Sequence, residues 1–371
     1  MSAPLSVHDA LGVRWSEDDP ALRVPRNYGD AAAEYRAAQE RAIVVDRCDR
    51  GVLRMYGRDP LRILQGIVTN DVANAPPDRA VYAALLTPKG RMLAELRILR
   101  ADDGFLLELP ALSVSDVVES FRRTVPPLFA RHADLSAELH VLGVYGPDAA
   151  VALAAALTGT LPEAREDALA RVAFEDQPVH VLATDYAGVP GFDLVLARAA
   201  AARLWSALVA GGVRPAGHAA LDVLRIEAGR PRWGAELTTE TIPLEAGLQA
   251  RAISTGKGCY TGQEVIIRIL HRGHVNWQLR GLLLGDAPGM VPGTTLAHPE
   301  SGKPAARITS VAWSPRHDQQ IALGYVRREV EPGTDLPLGA AGGTAQVVAL
   351  PFAPEQSLPR AFPPGDDRRS S

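Results

Sequence analysis

The chain has 371 residues, of which 47% are hydrophobic and 22% are charged, and its formal net charge is −4. This length predicts two or three domains, each with a packed core of its own. The small negative net charge argues against a basic surface that binds nucleic acid or an anionic membrane. We therefore expect partners of neither kind.

The two cysteines, Cys48 and Cys259, lie far apart and predict a reducing, cytoplasmic setting rather than a disulfide scaffold. Two thiols cannot form a four-thiolate metal or iron–sulfur site, and we expect no metal site. The first eight residues show no basic region followed by an apolar core, so no secretory signal is predicted. The longest apolar stretch, 151–157, is too short to span a bilayer.

Strands and helices are mixed along the first 270 residues. In chain order, the patterns predict a helix over 31–41, a strand over 52–56, a short helix over 61–68, strands over 81–86, 92–99 and 105–109, a helix over 114–125, a strand over 139–145, a helix over 147–157, strands over 179–183 and 192–196, and a helix over 199–211. The turn chemistry of 87–90 joins two of these strands in a hairpin. This order favours α+β domains over a doubly wound parallel sheet.

After Gly273 the pattern changes to short β-rich runs separated by Gly and Pro. The predicted strands are 279–284, 308–311, 321–326 and 345–349. Such spacing is typical of a small barrel or sandwich. Residues 351–371 are rich in Pro and charge and are predicted to be a disordered tail.

The most informative segment contains the second cysteine, and we call it the cysteine motif. It consists of Lys257, Gly258, Cys259, Tyr260, Thr261, Gly262, Gln263 and Glu264. Thr261 followed by Glu264 has the spacing of a capping box, which predicts that a helix begins at Thr261. Cys259 then lies just outside the positive end of that helix, and Lys257 adds a nearby positive charge. The motif therefore predicts a reactive thiolate, with Cys259 and Lys257 as candidate catalytic residues.

Other interpretations of Cys259 remain open. A free cysteine is often a small buried hydrophobic residue, which is the structural alternative. Two histidines downstream, His271 and His274, suggest a metal pair or the base of a Cys–His hydrolase. No further metal ligand has suitable spacing, and nothing in the sequence fixes the geometry of a Cys–His pair.

The cysteine motif, together with 224–229 and 243–246 before it, resembles the folate-binding YgfZ branch of the aminomethyltransferase superfamily, to which the glycine cleavage T-protein belongs. Shorter matches lie at 46–51, 64–71, 82–90, 186–193 and 309–310, so the resemblance covers about residues 40–350. The cysteine motif is highly specific, whereas each of the shorter matches is weak.

The resemblance implies a three-domain α+β fold around a folate pocket. Two domains are ferredoxin-like α/β domains and the third is a C-terminal antiparallel β-barrel. The implied boundaries are 1–50 with 138–270 for a discontinuous folate-binding domain, 51–137 for the second domain, and 271–350 for the barrel.

The resemblance also implies tetrahydrofolate, or a one-carbon derivative of it, as the cofactor. Tyr82, Tyr186, Asp193 and Arg225 match its folate-binding positions. A buried carboxylate such as Asp193 suits the ring N–H donors of a pterin, and an arginine suits the carboxylate tail. The structural alternatives are a core aromatic role for Tyr186 and an interdomain ion pair for Arg225.

Two functions are compatible with these residues. The first is a folate-dependent accessory protein for assembly or repair of iron–sulfur enzymes, in which Cys259 offers a thiolate at the mouth of the folate pocket. The second is an aminomethyl or other one-carbon transferase. Transferases carry paired acids where this chain has Ala94 and Glu95, so we expect Glu95 to be an ordinary exposed strand residue and transfer to be lost. A scaffold that has lost its ligand is a third, weaker hypothesis.

Overall fold

Three main sheets, each with a hydrophobic core of its own, make up the fold of this computed structural model, which describes residues 3–16, 23–285, 287, 289–339 and 342–352. The strands are β1 (Arg14–Trp15), β2 (Pro25–Asn27), β3 (Ile43–Asp46), β4 (Arg50–Tyr56), β5 (Val81–Leu86), β6 (Met92–Ala101), β7 (Gly104–Pro110), β8 (Arg131–Asp134), β9 (Leu139–Tyr145), β10 (Leu169–Phe174), β11 (Gln177–Thr184), β12 (Gly191–Ala197), β13 (Arg214–Ala216), β14 (Trp277–Gly285), β15 (Thr295–Ala297), β16 (Pro304–Ser314), β17 (Gln319–Arg327), β18 (Asp335–Pro337) and β19 (Thr344–Val348). The helices are α1 (Ala31–Glu40), α2 (Pro60–Ile67), α3 (Val114–Thr124), α4 (Ala149–Ala156), α5 (Arg198–Ala210), α6 (His218–Glu227), α7 (Gln249–Ala252) and α8 (Gln263–Arg272).

The first sheet has the strand order β10-β11-β12-β9-β3-β13 and contains one parallel pair, β3 with β13. Successive side chains of a strand point to opposite sides of the sheet. In the central strands β3 and β9 the side chains on both sides are buried. Val44 packs with Leu204 and Trp205 of α5, whereas Val45 packs with Leu224 of α6 on the other face. This double burial explains the nearly continuous apolar runs of β3 and β9.

The second sheet has the strand order β5-β6-β7-β4-β8, all antiparallel. One face packs on α2 and α3 through residues such as Leu96 and Phe121. The opposite face meets the first sheet, where Val52 and Leu106 join Val141 and Val195 in one buried cluster. The two sheets therefore face each other, and polar residues on these facing surfaces are removed from water.

The third sheet, in the order β15-β16-β17-β14-β19-β18, curls so that its edge strands β15 and β18 lie together in a nearly closed antiparallel barrel. Its core contains Leu282, Ile308, Val326 and Val347. The predicted fold class is confirmed: an α+β arrangement with mixed α/β domains and a C-terminal antiparallel barrel. The exact domain boundaries stay a prediction. No helix among the described residues has the length and apolar character needed to cross a membrane.

The predicted start of the helix in the cysteine motif is wrong. Helix α8 begins at Gln263, its N-cap is Gly262 with φ +81°, and no side chain caps it. A Cβ at Gly262 would lie 2.6 Å from the carbonyl oxygen of Thr87, so the turn is set by close contact with the β5–β6 hairpin. That contact between distant segments overrides the local capping pattern of Thr261 and Glu264.

The predicted disordered tail is wrong at its first two residues. Phe352 is buried, and its backbone N–H donates to the carbonyl oxygen of Glu227 at 3.3 Å. Phe352 packs against Leu279 and Ile321, which explains why the ordered chain continues past the last strand. Residues 353–371 lie outside the described residues.

A buried carboxylate fastens the N-terminal segment to the first sheet. Asp46 accepts hydrogen bonds from the Leu5 N–H at 2.9 Å, from His8 Nε2 at 2.6 Å and from His140 Nε2 at 2.7 Å. Burial by itself raises the pKa of Asp46, but the charges and hydrogen bonds of His140 and His8 outweigh it and hold that pKa well below its usual range. Asp46 is therefore ionised at neutral pH.

We predict that Asp46→Asn lowers the free energy of unfolding by about 3 kcal/mol at neutral pH, because it leaves two buried imidazoles without their charged partner. The ionic contribution of Asp46 is present above the unfolded-state pKa of about 3.9 and is lost as the pH falls below it. Asp148→Asn is the matched control, because Asp148 pairs with Arg41 at the surface, and it should cost less than about 0.5 kcal/mol. Denaturant unfolding measures both, and equal losses would contradict the role of Asp46.

Candidate functional site

The facing surfaces of the first two sheets enclose a chain of alternating acidic and basic side chains. At one end, Asp193 of β12 is 1% exposed and accepts from the Tyr145 hydroxyl at 2.5 Å and from Arg97 at 2.6 Å. Arg47 donates to Tyr145 at 2.8 Å and pairs with Asp49 at 2.9 Å. The ring of Tyr145 has room because Gly191 opposite it has no side chain; a Cβ there would lie 2.4 Å from the ring.

The chain continues across the second sheet. Arg97 donates to Glu108 at 2.6 Å, and Arg50 donates to the same carboxylate. Arg50 also donates to Glu95 at 2.7 Å, and Glu95 accepts from the Tyr82 hydroxyl at 2.5 Å. We call the whole set, from Asp49 to Tyr82, the buried charge network. Every member of it is paired, as buried charges must be to offset the loss of hydration.

Glu95 is not the exposed strand residue that the sequence predicts. It is only 8% exposed, whereas its neighbour Ala94 lies in the apolar core beneath α2 and α3. Strand β6 is covered on both faces, so the alternation of its side chains separates two buried layers rather than core and solvent. Position 94, where the resemblance implies an acid and this chain has Ala94, therefore faces the domain core. Glu95, the acid that this chain has, faces the buried charge network.

The electrostatics of the network are set by its arginines. Burial alone raises the pKa of Glu108, but the charges of Arg50 and Arg97 overcome this and lower the pKa to about 2. The same balance holds for Asp49, whose pKa is lowered by Arg47 against the effect of burial. Both carboxylates are therefore anionic at neutral pH.

A cleft of about 920 Å³ opens beside the network, between the first sheet and the barrel. Its walls come from residues 164–166, 183–185, 188–191, 227–230, 246–247, 279–280, 316 and 349–352. Both signs of charge line it, with Arg165, Arg280 and Arg316 among the cations and Glu166 and Asp185 among the anions. Glu166 connects the cleft to the network, because its carboxylate pairs with Arg251, whose guanidinium lies 4.0 Å from the centroid of the Tyr82 ring.

Three of the four predicted folate-binding residues belong to the buried charge network or contact it. Tyr82 and Asp193 are both buried members of the network. Tyr186 joins it through Arg47, whose guanidinium lies 5.0 Å from the centroid of its ring. The acidic and aromatic groups expected to meet a pterin therefore lie at two ends of the network, Asp193 and Tyr186 at one end and Tyr82 at the other, and none of them lines the cleft.

Arg225 has a different position from the one expected of a ligand-binding arginine. It is 1% exposed and donates to Asp222 at 2.9 Å, to Glu236 at 2.9 Å and to Ser310 of the barrel at 2.8 Å. Its donors are directed at groups of the protein, and it joins α6 to the barrel. The charged partners Asp222 and Glu236 lie in the same segment of the chain as Arg225, so this is a buried ion pair, and the contact with the barrel is the hydrogen bond to Ser310.

Cys259 is exposed, whereas Cys48 is buried, and both are free thiols. Cys259 and Gly258 line a hollow of about 410 Å³ with Arg62 and Gln65 of α2. No residue lines both this hollow and the large cleft. The expectation that Cys259 lies at the mouth of the folate pocket is therefore wrong for the cleft described above, because the motif packs against α2 instead.

Lys257 also differs from its expected role beside the thiol. Its ammonium donates to the carbonyl oxygens of Val68 at 2.7 Å and Asn70 at 2.9 Å. Burial lowers the pKa of Lys257 to about 8. Lys257 thus fixes the motif to the end of α2.

The remaining motif residues lie between the hollow and helix α8. Tyr260 is buried, and its ring centroid is 5.3 Å from the Lys257 ammonium. The Thr261 N–H donates to the Gly66 carbonyl at 3.3 Å. Glu264 pairs with Arg268 at 2.6 Å on the exposed face of α8, one turn along the helix. Gln263 is the first residue of that helix.

Sequence reasoning missed most of the network, namely Arg47, Arg50, Arg97, Glu108, Tyr145 and Arg251. A usable signal was present in two of the strands. Glu95 and Arg97 interrupt the apolar run 92–99, and Glu108 interrupts the run 105–109. A charge inside such a run suggests a buried partner, and the antiparallel register places Arg97 and Glu108 directly opposite each other.

Comparisons with known proteins agree with this architecture. Residues 5–257 match the family described as the GCVT N-terminal domain, and residues 278–353 match the glycine cleavage T-protein C-terminal barrel domain. The chain is 32% identical over 356 residues to an aminomethyltransferase of Rubrobacter xylanophilus, covering 93% of this chain and 92% of that protein. It is 31% identical over 366 residues to an aminomethyltransferase of Ralstonia pickettii, covering 94% and 95%. The solved glycine cleavage system aminomethyltransferase T of Bartonella henselae has the same fold, with a TM-score of 0.84, 23% identity, and coverage of 94% of this chain and 96% of that one.

We predict that Glu108→Gln lowers the free energy of unfolding by about 3 kcal/mol at neutral pH, because two buried guanidinium groups lose their shared anion. In the wild-type protein this contribution is present above the unfolded-state pKa of about 4.3 and is lost as the pH falls toward about 2. The difference between the two proteins should therefore shrink in acid. Glu119→Gln on the exposed face of α3 is the control, and a loss in that variant as large as in Glu108→Gln would argue against the network as the cause.

Proposed function

The chain belongs to the glycine cleavage T-protein family, and on that premise we propose that it acts on tetrahydrofolate as a one-carbon transferase of the aminomethyltransferase kind. The observation that carries this proposal is the burial of Glu95 against Arg50 and Tyr82. The relatives named aminomethyltransferase support it. The loss of the paired acid at Ala94 does not count against it, because that position faces the domain core.

The residues present fit a reduced folate. Its pterin N–H groups need buried acceptors, and the carboxylates of Asp193 and Glu95 are buried within the network. Tyr82 and Tyr186 supply aromatic faces at the two ends of the network. The cleft of about 920 Å³ lies at the upper end of the usual size of ligand pockets, about 300–1,000 Å³. Arg165 and Arg280 in its wall provide cations for a carboxylate tail.

Glu95 is the residue to which we assign the chemical step. Tetrahydrofolate supplies the ring nitrogens that accept the carbon. The Glu95 carboxylate, held at fixed orientation by Arg50 and Tyr82, provides an oriented acceptor for a proton or positive charge at a reacting nitrogen. Because this group is shielded from water, its electrostatic effect on a developing charge is larger than that of a surface carboxylate.

A second candidate is a folate-binding accessory protein for assembly or repair of iron–sulfur enzymes, and the exposed Cys259 favours it. The hollow that Cys259 lines would expose its sulfur to a partner protein, whereas the buried Cys48 is not available. The high specificity of the cysteine motif supports this candidate.

Glu95→Gln tests the first candidate, because it removes the charge and keeps the shape of the side chain. We expect kcat for one-carbon transfer to fall by about 10²–10⁴-fold, with a much smaller change in the Kd of tetrahydrofolate. Folate turnover with a methylene donor and ammonia measures kcat, and Glu119→Gln is the control. Unchanged kcat in Glu95→Gln would remove Glu95 from the chemistry, and a wild-type protein that binds tetrahydrofolate without turnover would leave the second candidate.

Cys259→Ser tests the second candidate. We expect unchanged unfolding free energy and unchanged folate affinity but loss of activation of an iron–sulfur enzyme, because a hydroxyl does not ionise near neutral pH. Cys48→Ser is the matched control, since it alters a buried thiol and leaves Cys259 in place. Iodoacetamide should label wild-type protein and Cys48→Ser but not Cys259→Ser. Retained activation by Cys259→Ser contradicts a thiol role.

A further inference from the structure

An ion pair stands between the cleft and the aromatic face of Tyr82. Glu166 lines the cleft, but neither Tyr82 nor Glu95 does. One carboxylate oxygen of Glu166 pairs with the Arg251 guanidinium, and that guanidinium lies 4.0 Å from the centroid of the Tyr82 ring. Arg251 therefore covers one face of the Tyr82 ring, and its guanidinium lies between that ring and Glu166 in the wall of the cleft.

Only the side chain of Arg251 is free to move. The Asn70 amide donates to the Arg251 carbonyl at 2.9 Å and to the Tyr82 carbonyl at 2.8 Å, which ties the two backbones together. The next residue is fixed as well, because the Thr69 hydroxyl donates to the Ala252 carbonyl at 2.6 Å. The guanidinium, in contrast, is held at its outer end by acidic side chains alone, Glu166 and, at 3.5 Å, Asp167. Its Nε is buried without a hydrogen-bond partner among the described residues.

We propose that Arg251 is a gate over Tyr82 and that Glu166 is the latch that keeps it closed. Ionised Glu166 holds the guanidinium on the ring, and loss of that charge allows the side chain to swing into the cleft and exposes Tyr82. Both are positioning residues rather than catalytic ones. This inference rests on the proposed function for the identity of the ligand, and the pairing of the two side chains does not depend on it.

The surroundings of Glu166 make the latch sensitive to pH near neutrality. The charged groups that face it are Arg79, Asp167, Asp185, Arg230 and Arg251. Burial, followed by the interactions with Asp185 and Asp167, raises the pKa of Glu166 to about 7 against the opposing charge of Arg251. As the pH falls through about 7, Glu166 gains a proton and loses its charge, and the gate opens.

Binding of tetrahydrofolate tests the gate with the full-length protein. When only part of the population is competent to bind, the apparent Kd is raised in inverse proportion to that part. At about pH 8 we expect Glu166→Gln and Arg251→Ala to bind about fivefold to tenfold more tightly than the wild type. Wild-type affinity should rise as the pH falls toward about 6, and Glu166→Gln should show no such change. Glu163→Gln, in the same segment and exposed, should follow the wild type.

Weaker binding by Arg251→Ala would overturn the proposal, since it would make Arg251 a ligand-binding group. Equal pH dependence in Glu166→Gln and the wild type would also overturn it.

A measurement without ligand separates failure of the gate from failure of the proposed function. In protein labelled with ¹³C-tyrosine, the Tyr82 ring signal, assigned with Tyr82→Phe, should shift between about pH 6 and pH 8 as the guanidinium leaves the ring. It should not shift in Glu166→Gln. A Tyr82 signal that stays constant between these pH values in the wild type would overturn the proposed gate, whatever the ligand is. A shifting signal in a protein that does not bind tetrahydrofolate retains the gate and overturns the function.

Discussion

The alternation of acidic and basic side chains between the first two sheets is the constraint on which the arrangement of the site depends. Removing a charge from water costs several kcal/mol unless the charge is paired with good geometry. Arg50 and Arg97 satisfy this condition because Glu108 lies between them, Glu95 pairs with Arg50, and Asp193 crosses from the other sheet to pair with Arg97. The two sheets cannot slide or separate without leaving buried charges unpaired, so the network fixes their relative position more sharply than apolar contact does.

The barrel is attached to the same frame by a second buried ion pair. Arg225 of α6 reaches Glu236, and the Ser310 and Thr309 hydroxyls of the barrel donate to that same carboxylate at 2.6 and 2.8 Å. Each sheet has an apolar core of its own, whereas the contacts that orient the sheets are largely polar and directional. The cleft of about 920 Å³ opens between the first sheet and the barrel, the two parts that this second ion pair and its hydroxyl partners join.

Apolar periodicity was enough to predict most strands and helices. Segments such as 81–86, 92–99 and 139–145 consist mostly of buried side chains, and their pattern can be recognised without knowing their partners. It failed for residues whose role depends on a distant partner. Glu95 has the pattern of an exposed strand residue until Arg50 and Tyr82 are placed against it, and Arg225 looks like a ligand-binding arginine until Glu236 and Ser310 take up its donors. The start of α8 is a similar case, because the turn at Gly262 is determined by its close contact with Thr87 and not by the residues next to it in sequence. Pairwise contact between remote segments is the information that a single sequence does not carry.

The same distinction bears on the two candidate functions. The carboxylate of Glu95 belongs to the network between the sheets, whereas the thiol of Cys259 lies over α2, on a hollow that shares no residue with the cleft. Lys257 is bound to the carbonyl oxygens at the end of α2 and so fixes this second surface to the second domain. The proposed one-carbon chemistry at Glu95 and the proposed thiol chemistry at Cys259 therefore depend on different sets of residues. Because the two surfaces share no lining residue, the presence of Cys259 is not an argument against the proposed transfer at Glu95.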